Sequence, residues 1–350
     1  MGFIQKRRIY KYFLMVLFIA LAVVIITSST IGVADISFID SLKIMISNMP
    51  VLGRFIDDGS IRQSHRFIVL NVRLPRILLS TLIGIGLSVV GSTFQAMFRN
   101  PMADPYILGI SSGASAGATI AIIAGFGSIV GGLSIITLLA FLGAVLTVLL
   151  VYNIARVGNK VTSLGLILAG IAVGLFLSSV VSMLMFFNRD DIEKIVMWTM
   201  GSVSAATWSK VGILAPVVII GSIVIWAYAR DLNAMSIGDE TAKSLGIEVE
   251  RVKRILLTIS SLIVACCVST SGVIGFVGLI VPHTIRLIVG SDQRALLPFS
   301  SVAGAIFMVV CDTLARNLIP PAEIPVGAVT SLFGAPFFIF MLYRNKKKVI

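Results

Sequence analysis

The residues that could do acid, base or metal chemistry are few and lie far apart in the sequence. The 350-residue chain has two histidines, His65 and His283, and three cysteines, Cys266, Cys267 and Cys311. Metal sites and acid-base catalysts need several such groups at close spacing, and no Cys-x-x-Cys or His-Glu-x-x-His pattern occurs. We therefore expect no catalytic residue, no resident metal ion and no cofactor in this chain.

Carboxylates are almost absent from the apolar segments. Ion-coupled transporters keep ionisable groups deep in the membrane, where protons or cations bind. Near the C-terminal end only Asp312 and Glu323 come close to such positions, and each is also explained as a helix-end carboxylate paired with Arg316. No Gly-x4-Gly-Lys-Ser/Thr motif occurs, so this chain lacks that route to nucleotide binding. The pattern favours transport driven by energy from another chain.

The composition indicates a protein that crosses a membrane many times. Hydrophobic residues make up 57% of the chain, charged residues only 13%, and the mean hydropathy is +1.03. A soluble domain carries about 25% charged residues. The formal charge of +12 comes from basic residues scattered between apolar runs, which do not gather on one face with aromatic residues. These residues are therefore expected to orient the protein in a lipid bilayer and not to bind nucleic acid.

Runs of about 20 apolar residues are long enough to cross a bilayer, and they predict ten transmembrane helices in one domain, residues 1–350. The even number places both termini on one side, and the basic segments 6–11 and 344–348 predict that this side is cytoplasmic. The first span also resembles a signal peptide, but without a cleavage site we favour an uncleaved helix. The predicted spans are 12–34, 77–98, two within 105–155 turned at 125–132, 161–188, 211–229, two within 255–289, 295–315 and 324–343.

Two predicted loops stand out from the apolar background. The external loop 34–76 is rich in basic residues, against the usual depletion on that side. The cytoplasmic loop 230–254 contains a well-specified short helix, 239–245. Ser236 and Asp239 have the spacing of a capping box, Asp239 and Lys243 form an i,i+4 pair, and Gly246 is a natural stop. This helix either belongs to an ordinary positive loop or fits a groove in a partner.

Several further motifs follow one another along the chain with characteristic spacing. They are VRLPR (72–76), GSTFQAMFRNPMADPYILGISSGASAG (91–117), WTMGSVSAATW (198–208), GDETAKSLG (238–246), GVIGFVGLIVPHTIRLIVGSDQR (272–294) and PPAEIPVGAVTSLFGAPFFIFML (320–342). Together they resemble the FecCD-type permeases, the membrane subunits of ABC importers for iron–siderophore complexes, haem and cobalamin. The likeness covers nearly the whole chain beyond the first span.

The resemblance implies an all-α fold like that of the cobalamin importer, in a bacterial cell membrane. It implies a second permease subunit, either a copy or a paralogue, together with two cytoplasmic ATPase subunits and an external substrate-binding protein. An iron–siderophore complex is the leading cargo, with haem or cobalamin as alternatives. A proton-coupled secondary transporter stays open as a rival from another class.

The resemblance also assigns roles to individual residues. Arg73, Arg76 and Arg316 would bind acidic residues of the binding protein, although lipid phosphates or internal pairs with Asp312 or Glu323 are alternatives. The residues that would enter a cleft of the ATPase are Gly238, Asp239, Glu240, Thr241, Ala242, Lys243, Ser244, Leu245 and Gly246.

Two further assignments concern the interior of the predicted bundle. Thr162 and Ser163 correspond to a cytoplasmic gate, with a helix N-cap as the competing interpretation. His283 follows Pro282, and a fixed kink with a polar tip is favoured there over a proton or metal group.

Overall fold

Apolar helices dominate the computed structural model, which describes residues 3–32, 34–48, 61–126, 129–130, 133–158, 160–320 and 322–346. Seven helical segments are long and apolar enough to span a membrane, and three shorter apolar helices join them. The predicted number of ten is thereby confirmed. The helices are α1 Phe3–Thr30, α2 Phe38–Ser47, α3 Gln63–Phe67, α4 Leu74–Met97, α5 Ile110–Ile123, α6 Ile135–Ala155, α7 Ser163–Phe187, α8 Ile192–Thr199, α9 Trp208–Ala227, α10 Ala229–Ile237, α11 Asp239–Ser244, α12 Val249–Ser271, α13 Val277–Val289, α14 Gln293–Ala315 and α15 Val326–Lys346.

The turns contain little other regular structure among the described residues. A π-helical turn, Ile68–Arg73, joins α3 to α4, and a 3-10 turn, Arg189–Asp191, precedes α8. Two short antiparallel hairpins connect α5 to α6 and α6 to α7. Their strands are β1 Ile129–Val130, β2 Leu133–Ser134, β3 Arg156–Val157 and β4 Lys160–Val161.

Helix α4 is the centre of the bundle. Its apolar stretch is 83% buried, against 72% for α12, 61% for α14 and only 28–33% for α6, α7 and α9. Glycines permit this packing, since a Cβ at Gly84 would collide with the carbonyl oxygen of Gly304 on α14, and one at Gly91 with that of Gly278 on α13. Small residues let membrane helices approach closely, and these two positions require them.

The third span is shorter than the sequence predicted, because the backbone is not helical near two prolines. The third span begins at Ile110 and not near 105, after a non-helical segment that contains Pro101 and Pro105. The seventh and eighth spans separate at Gly272, as predicted, where φ is +71° and a Cβ would collide with the carbonyl oxygen of Trp198.

We call the end of the bundle where α1 begins and α15 ends the inner end, and the opposite end the outer end. Loop 34–76, predicted as a loop, contains α2, α3 and the start of a helical run that continues into α4. Residues 49–60 of that loop lie outside the described part of the chain, as do 127–128 and 131–132 of the predicted turn 125–132 and 347–348 of the basic C-terminal segment. At the inner end, α10 and α11 lie between α9 and α12.

Candidate functional site

Helix α11 is a short, well-delimited element at the inner end. Of its six residues only Ala242 is buried, and Leu245 at its C-terminus is 66% exposed. The stop at Gly246 has φ +85°, which glycine adopts without strain. The exposed face of α11 is therefore available to another molecule.

The capping predicted for α11 was wrong in two details. Ser236 lies in α10, where its hydroxyl donates a hydrogen bond to the carbonyl oxygen of Asn233 (2.7 Å), and Gly238 occupies the N-cap position. The polar segment 229–237 is helical because it packs on the bundle with Leu232 and Met235 buried. The isolated capping-box pattern does not reveal that packing.

The predicted Asp239–Lys243 pair was also wrong. Lys243 donates a hydrogen bond to Glu240 (2.6 Å), which raises the pKa of that lysine. Asp239 instead accepts a hydrogen bond from Nζ of Lys253 on α12 (2.5 Å). The two neighbouring acids therefore have different partners: Glu240 pairs with Lys243 in the same helix, and Asp239 pairs with Lys253 in α12.

A cavity of about 540 Å³ separates α11 from the beginning of α7. Thr162, Ser163, Asp239 and Glu240 all line it, so the gate candidates and α11 face one space. The Thr162 hydroxyl accepts a hydrogen bond from the amide of Gly165 (3.1 Å), which is the N-cap interpretation of this residue. A gating role for Thr162 and Ser163 stays a prediction.

At the outer end, Arg76 joins three helices through two carboxylates. Its Nε and Nη2 lie 3.0 Å from Oδ1 of Asp312 on α14, and its Nη1 lies 2.9 Å from both oxygens of Glu323, which precedes α15. Asp312 is fully buried, whereas the Glu323 side chain is 42% exposed. Arg76 thus adopts the internal pairing that the sequence left as an alternative.

The other two arginines bind the end of α1. Arg73 donates hydrogen bonds to the carbonyl oxygens of Ser29 (2.6 Å), Thr30 (3.0 Å) and Ala34 (2.6 Å). Arg316 donates to the carbonyl oxygen and the hydroxyl of Ser28. The last carbonyl groups of a helix have no partner within it, and these guanidinium groups supply one.

The three arginines are therefore directed into the protein: the exposed fractions of Arg73, Arg76 and Arg316 are 4%, 7% and 8%. A direct contact with an external protein would need one of the internal partners to leave. Their role in docking such a protein stays a prediction.

Replacing Arg73 with methionine is expected to lower the thermal unfolding temperature of the purified protein. The change leaves one buried and two partly buried carbonyl groups without a charged donor, and hydrogen bonds to charged groups contribute about 1.5 kcal/mol or more each. Arg62→Met is the matched control, because Arg62 is an exposed arginine of the same loop. Equal unfolding temperatures for the two variants would contradict the capping role of Arg73.

His283 lies in α13 one residue after the helix-interior Pro282, and its Nδ1 is buried without a hydrogen-bond partner. Nearby, Arg286 donates a hydrogen bond to Gln95 of α4 (2.8 Å). Within the described residues no group of three His, Cys, Asp or Glu side chains could hold a metal ion. His283 is thus a polar side chain next to a helix-interior proline, while the predicted kink and a proton-carrying role stay untested.

Comparison with known proteins gives matches along almost the whole chain. A model of the FecCD transport family matches residues 19–344. The cobalamin import permease BtuC of Halobacterium salinarum is 43% identical over 82% of this chain and 76% of its own length. The iron(3+)-hydroxamate import permease FhuG of Bacillus subtilis is 34% identical over 94% and 95%. A solved inward-facing ABC transporter, provisionally assigned to the metal-chelate type, superposes with a TM-score of 0.79 at 30% identity and covers 95% of this chain and 99% of its own.

Proposed function

The chain belongs to the FecCD transport family and is a multi-pass permease subunit of an ABC importer, and we propose that it carries an iron chelate, such as an iron–siderophore complex, across a bacterial cell membrane into the cytoplasm. Transport would proceed by alternating access, in which the pathway opens to one side at a time. The permease is a transport component and not an enzyme, so ATP is hydrolysed on a separate chain.

The observation that carries the mechanism is the exposed helix α11 between two spans. A helix of six residues with one buried side chain contributes little to the core, so its defined ends and exposed face suit a groove in a partner. We assign that groove to a cytoplasmic ATPase subunit, whose closure would move α11. A complete importer would contain two ATPases and a second permease subunit, either a copy of this chain or a paralogue.

The iron-chelate proposal rests on the hydroxamate permease and on the metal-chelate type of transporter to which the fold is similar. Cobalamin is the second candidate, because the cobalamin permease shares the higher identity of 43%. Uptake assays on the reconstituted importer, with its own binding protein, separate the two. We expect saturable uptake of radioactive ferric siderophore that excess cobalamin does not inhibit. Uptake of labelled cobalamin or haem alone would contradict the assignment.

An external binding protein would approach the outer end. Three arginines and two carboxylates there give a net charge of +1: Arg73, Arg76, Arg316, Asp312 and Glu323. Glu323 is the more exposed of the two carboxylates at Arg76, so it is the one that an acidic group of the binding protein could replace. Bidentate arginine–carboxylate contacts would then orient the partner.

Glu323→Gln is expected to tighten the binding protein's apparent affinity for the permease by roughly two- to fivefold, because the change removes a competing partly exposed carboxylate. The measurement is binding-protein-stimulated ATPase activity at low and high salt, since exposed charges are screened by salt. Glu193→Gln, at an exposed glutamate of α8, changes the net charge equally and serves as the control. Unchanged affinity at every salt concentration would refute docking at Arg76.

A further inference from the structure

Helix α11 has little packing of its own through which movement could pass to the spans. Its one buried side chain, Ala242, is a methyl group, and a loosely packed helix would tilt without displacing its neighbours. The connections that transmit movement must therefore be found in side chains that join α10 and α11 to the spans. Two such connections are present among the described residues.

The first connection joins α11 to α12. Lys253 is 5% exposed, and its Nζ lies 2.5 Å from Oδ2 of Asp239. The other carboxylate oxygen of Asp239 is buried and has no hydrogen-bond partner. Lys253 is therefore the charged partner on which the orientation of the Asp239 carboxylate depends. A salt bridge with a buried lysine is screened less by water and salt than an exposed pair.

The second connection joins α10 to the beginning of α14. Asn233 donates a hydrogen bond from Nδ2 to Asp292 (2.8 Å) and accepts one from the backbone amide of Gln293 (2.8 Å). This two-bond contact fixes the direction of the Asn233 amide. The hydrogen bond from Arg294 lowers the pKa of Asp292 to about 2, so the carboxylate is ionised. The Gln293 side chain continues the contact by accepting a hydrogen bond from Ser92 of α4 (2.9 Å).

The helices reached in this way are the most buried of the long spans. Apolar stretches of α4, α12 and α14 are 83%, 72% and 61% buried, whereas α9, which directly precedes α10 in the chain, is 28% buried. Helix α14 also runs without a break from Asp292 at the inner end to Asp312 at the outer end, where Arg76 binds it. A displacement of α11 is thus connected to the core and to the outer arginines.

We propose that Lys253 and Asn233 are positioning residues for coupling: they hold the α10–α11 unit to α12 and α14, so that movement of α11 displaces those two spans. The proposal deepens the proposed function, since it rests on α11 as the ATPase contact. Both residues act through the helices that they join.

The test is the number of ATP molecules hydrolysed per cargo molecule taken up by the complete importer in proteoliposomes. Lys253→Met is expected to raise this ratio by about tenfold, the range of typical coupling between sites, while the ATPase still co-purifies with the permease. Lys253→Arg keeps the charge and is expected to restore most of the coupling. The matched control is Arg251→Met, because Arg251 on the same helix is exposed and its ion pair within the described residues is with exposed Glu248 at 3.7 Å.

Asn233→Leu tests the second connection independently. If the Lys253→Met permease does not assemble with the ATPase, the result for Asn233→Leu decides whether the proposal holds. We expect it to raise the ratio as well, without changing the amount of ATPase that co-purifies. Ratios equal to the wild-type value in both variants, with a coupled wild-type importer, would overturn the proposal. If the wild-type permease does not bind an ATPase at all, the proposed function itself fails, and that result is distinct from a normal ratio in the variants.

Discussion

Uptake by the complete importer is expected to fall roughly tenfold or more when Glu240 is replaced by lysine and Leu245 by tryptophan. Leu245 is 66% exposed and the Glu240 side chain 88% exposed at the inner end, so both can contact a partner without supporting the fold. Central side chains of an interface often contribute about 2 kcal/mol or more each, and two such changes on one short helix prevent a close fit. ATP hydrolysis would continue without proportional uptake.

The controls for this double variant reproduce each chemical change elsewhere. Glu248→Lys reverses an exposed acid just beyond α11, and Leu175→Trp enlarges a leucine of α7 that is 66% exposed. Both are expected to transport near the wild-type rate. The amount of permease in the membrane must be equal in all variants. Normal coupling in the Glu240→Lys, Leu245→Trp protein would refute α11 as the ATPase contact.

Asp312→Ala is expected to destabilise the protein by about 3 kcal/mol, because it leaves Arg76 buried with only the partly exposed Glu323 as a partner. The unfolding midpoint of the detergent-solubilised protein measures this effect. Glu323→Gln is the comparison: it removes a carboxylate from the same arginine at a position that is 42% exposed, so a smaller loss is expected.

The double variant Arg76→Leu, Asp312→Leu distinguishes a penalty for unpaired charge from a general loss of packing. It removes both buried charges, and replacing a buried ion pair by apolar residues is often close to neutral. We expect it to recover much of the stability that Asp312→Ala loses. If Asp312→Ala and Glu323→Gln were equally stable, Asp312 would not be the main partner of Arg76.

The sequence predicted the spans and the place of α11 because both depend on local patterns. Apolar runs between charges set the helix count, and Gly246 ended α11 where expected. The non-helical segment before Ile110 was harder to locate, since Pro105 forbids some conformations without fixing where the next helix starts. Helix α10 was missed because its polar sequence becomes helical only when Leu232 and Met235 pack on the bundle.

The partners of charged side chains could not be read from the sequence, because they are far apart along the chain. Arg73 binds carbonyl groups about forty residues earlier, and Arg76 binds Asp312, 236 residues later. Backbone carbonyl groups give no sequence signal, so the contacts of Arg73 and Arg316 with the end of α1 were not predicted. Asp239 had two lysines within reach, Lys243 and Lys253, and only the fold shows that the buried one binds it.

The energy source of transport tests the central claim most directly. The measurement is uptake of ferric siderophore into proteoliposomes that contain the permease, with and without its ATPase subunits, in the presence of the binding protein. We predict uptake that requires both the ATPase and ATP on the side of the membrane where the ATPase is bound. This uptake continues when a protonophore collapses the proton gradient. Uptake without the ATPase that a protonophore abolishes would contradict the assignment and identify a proton-coupled transporter instead.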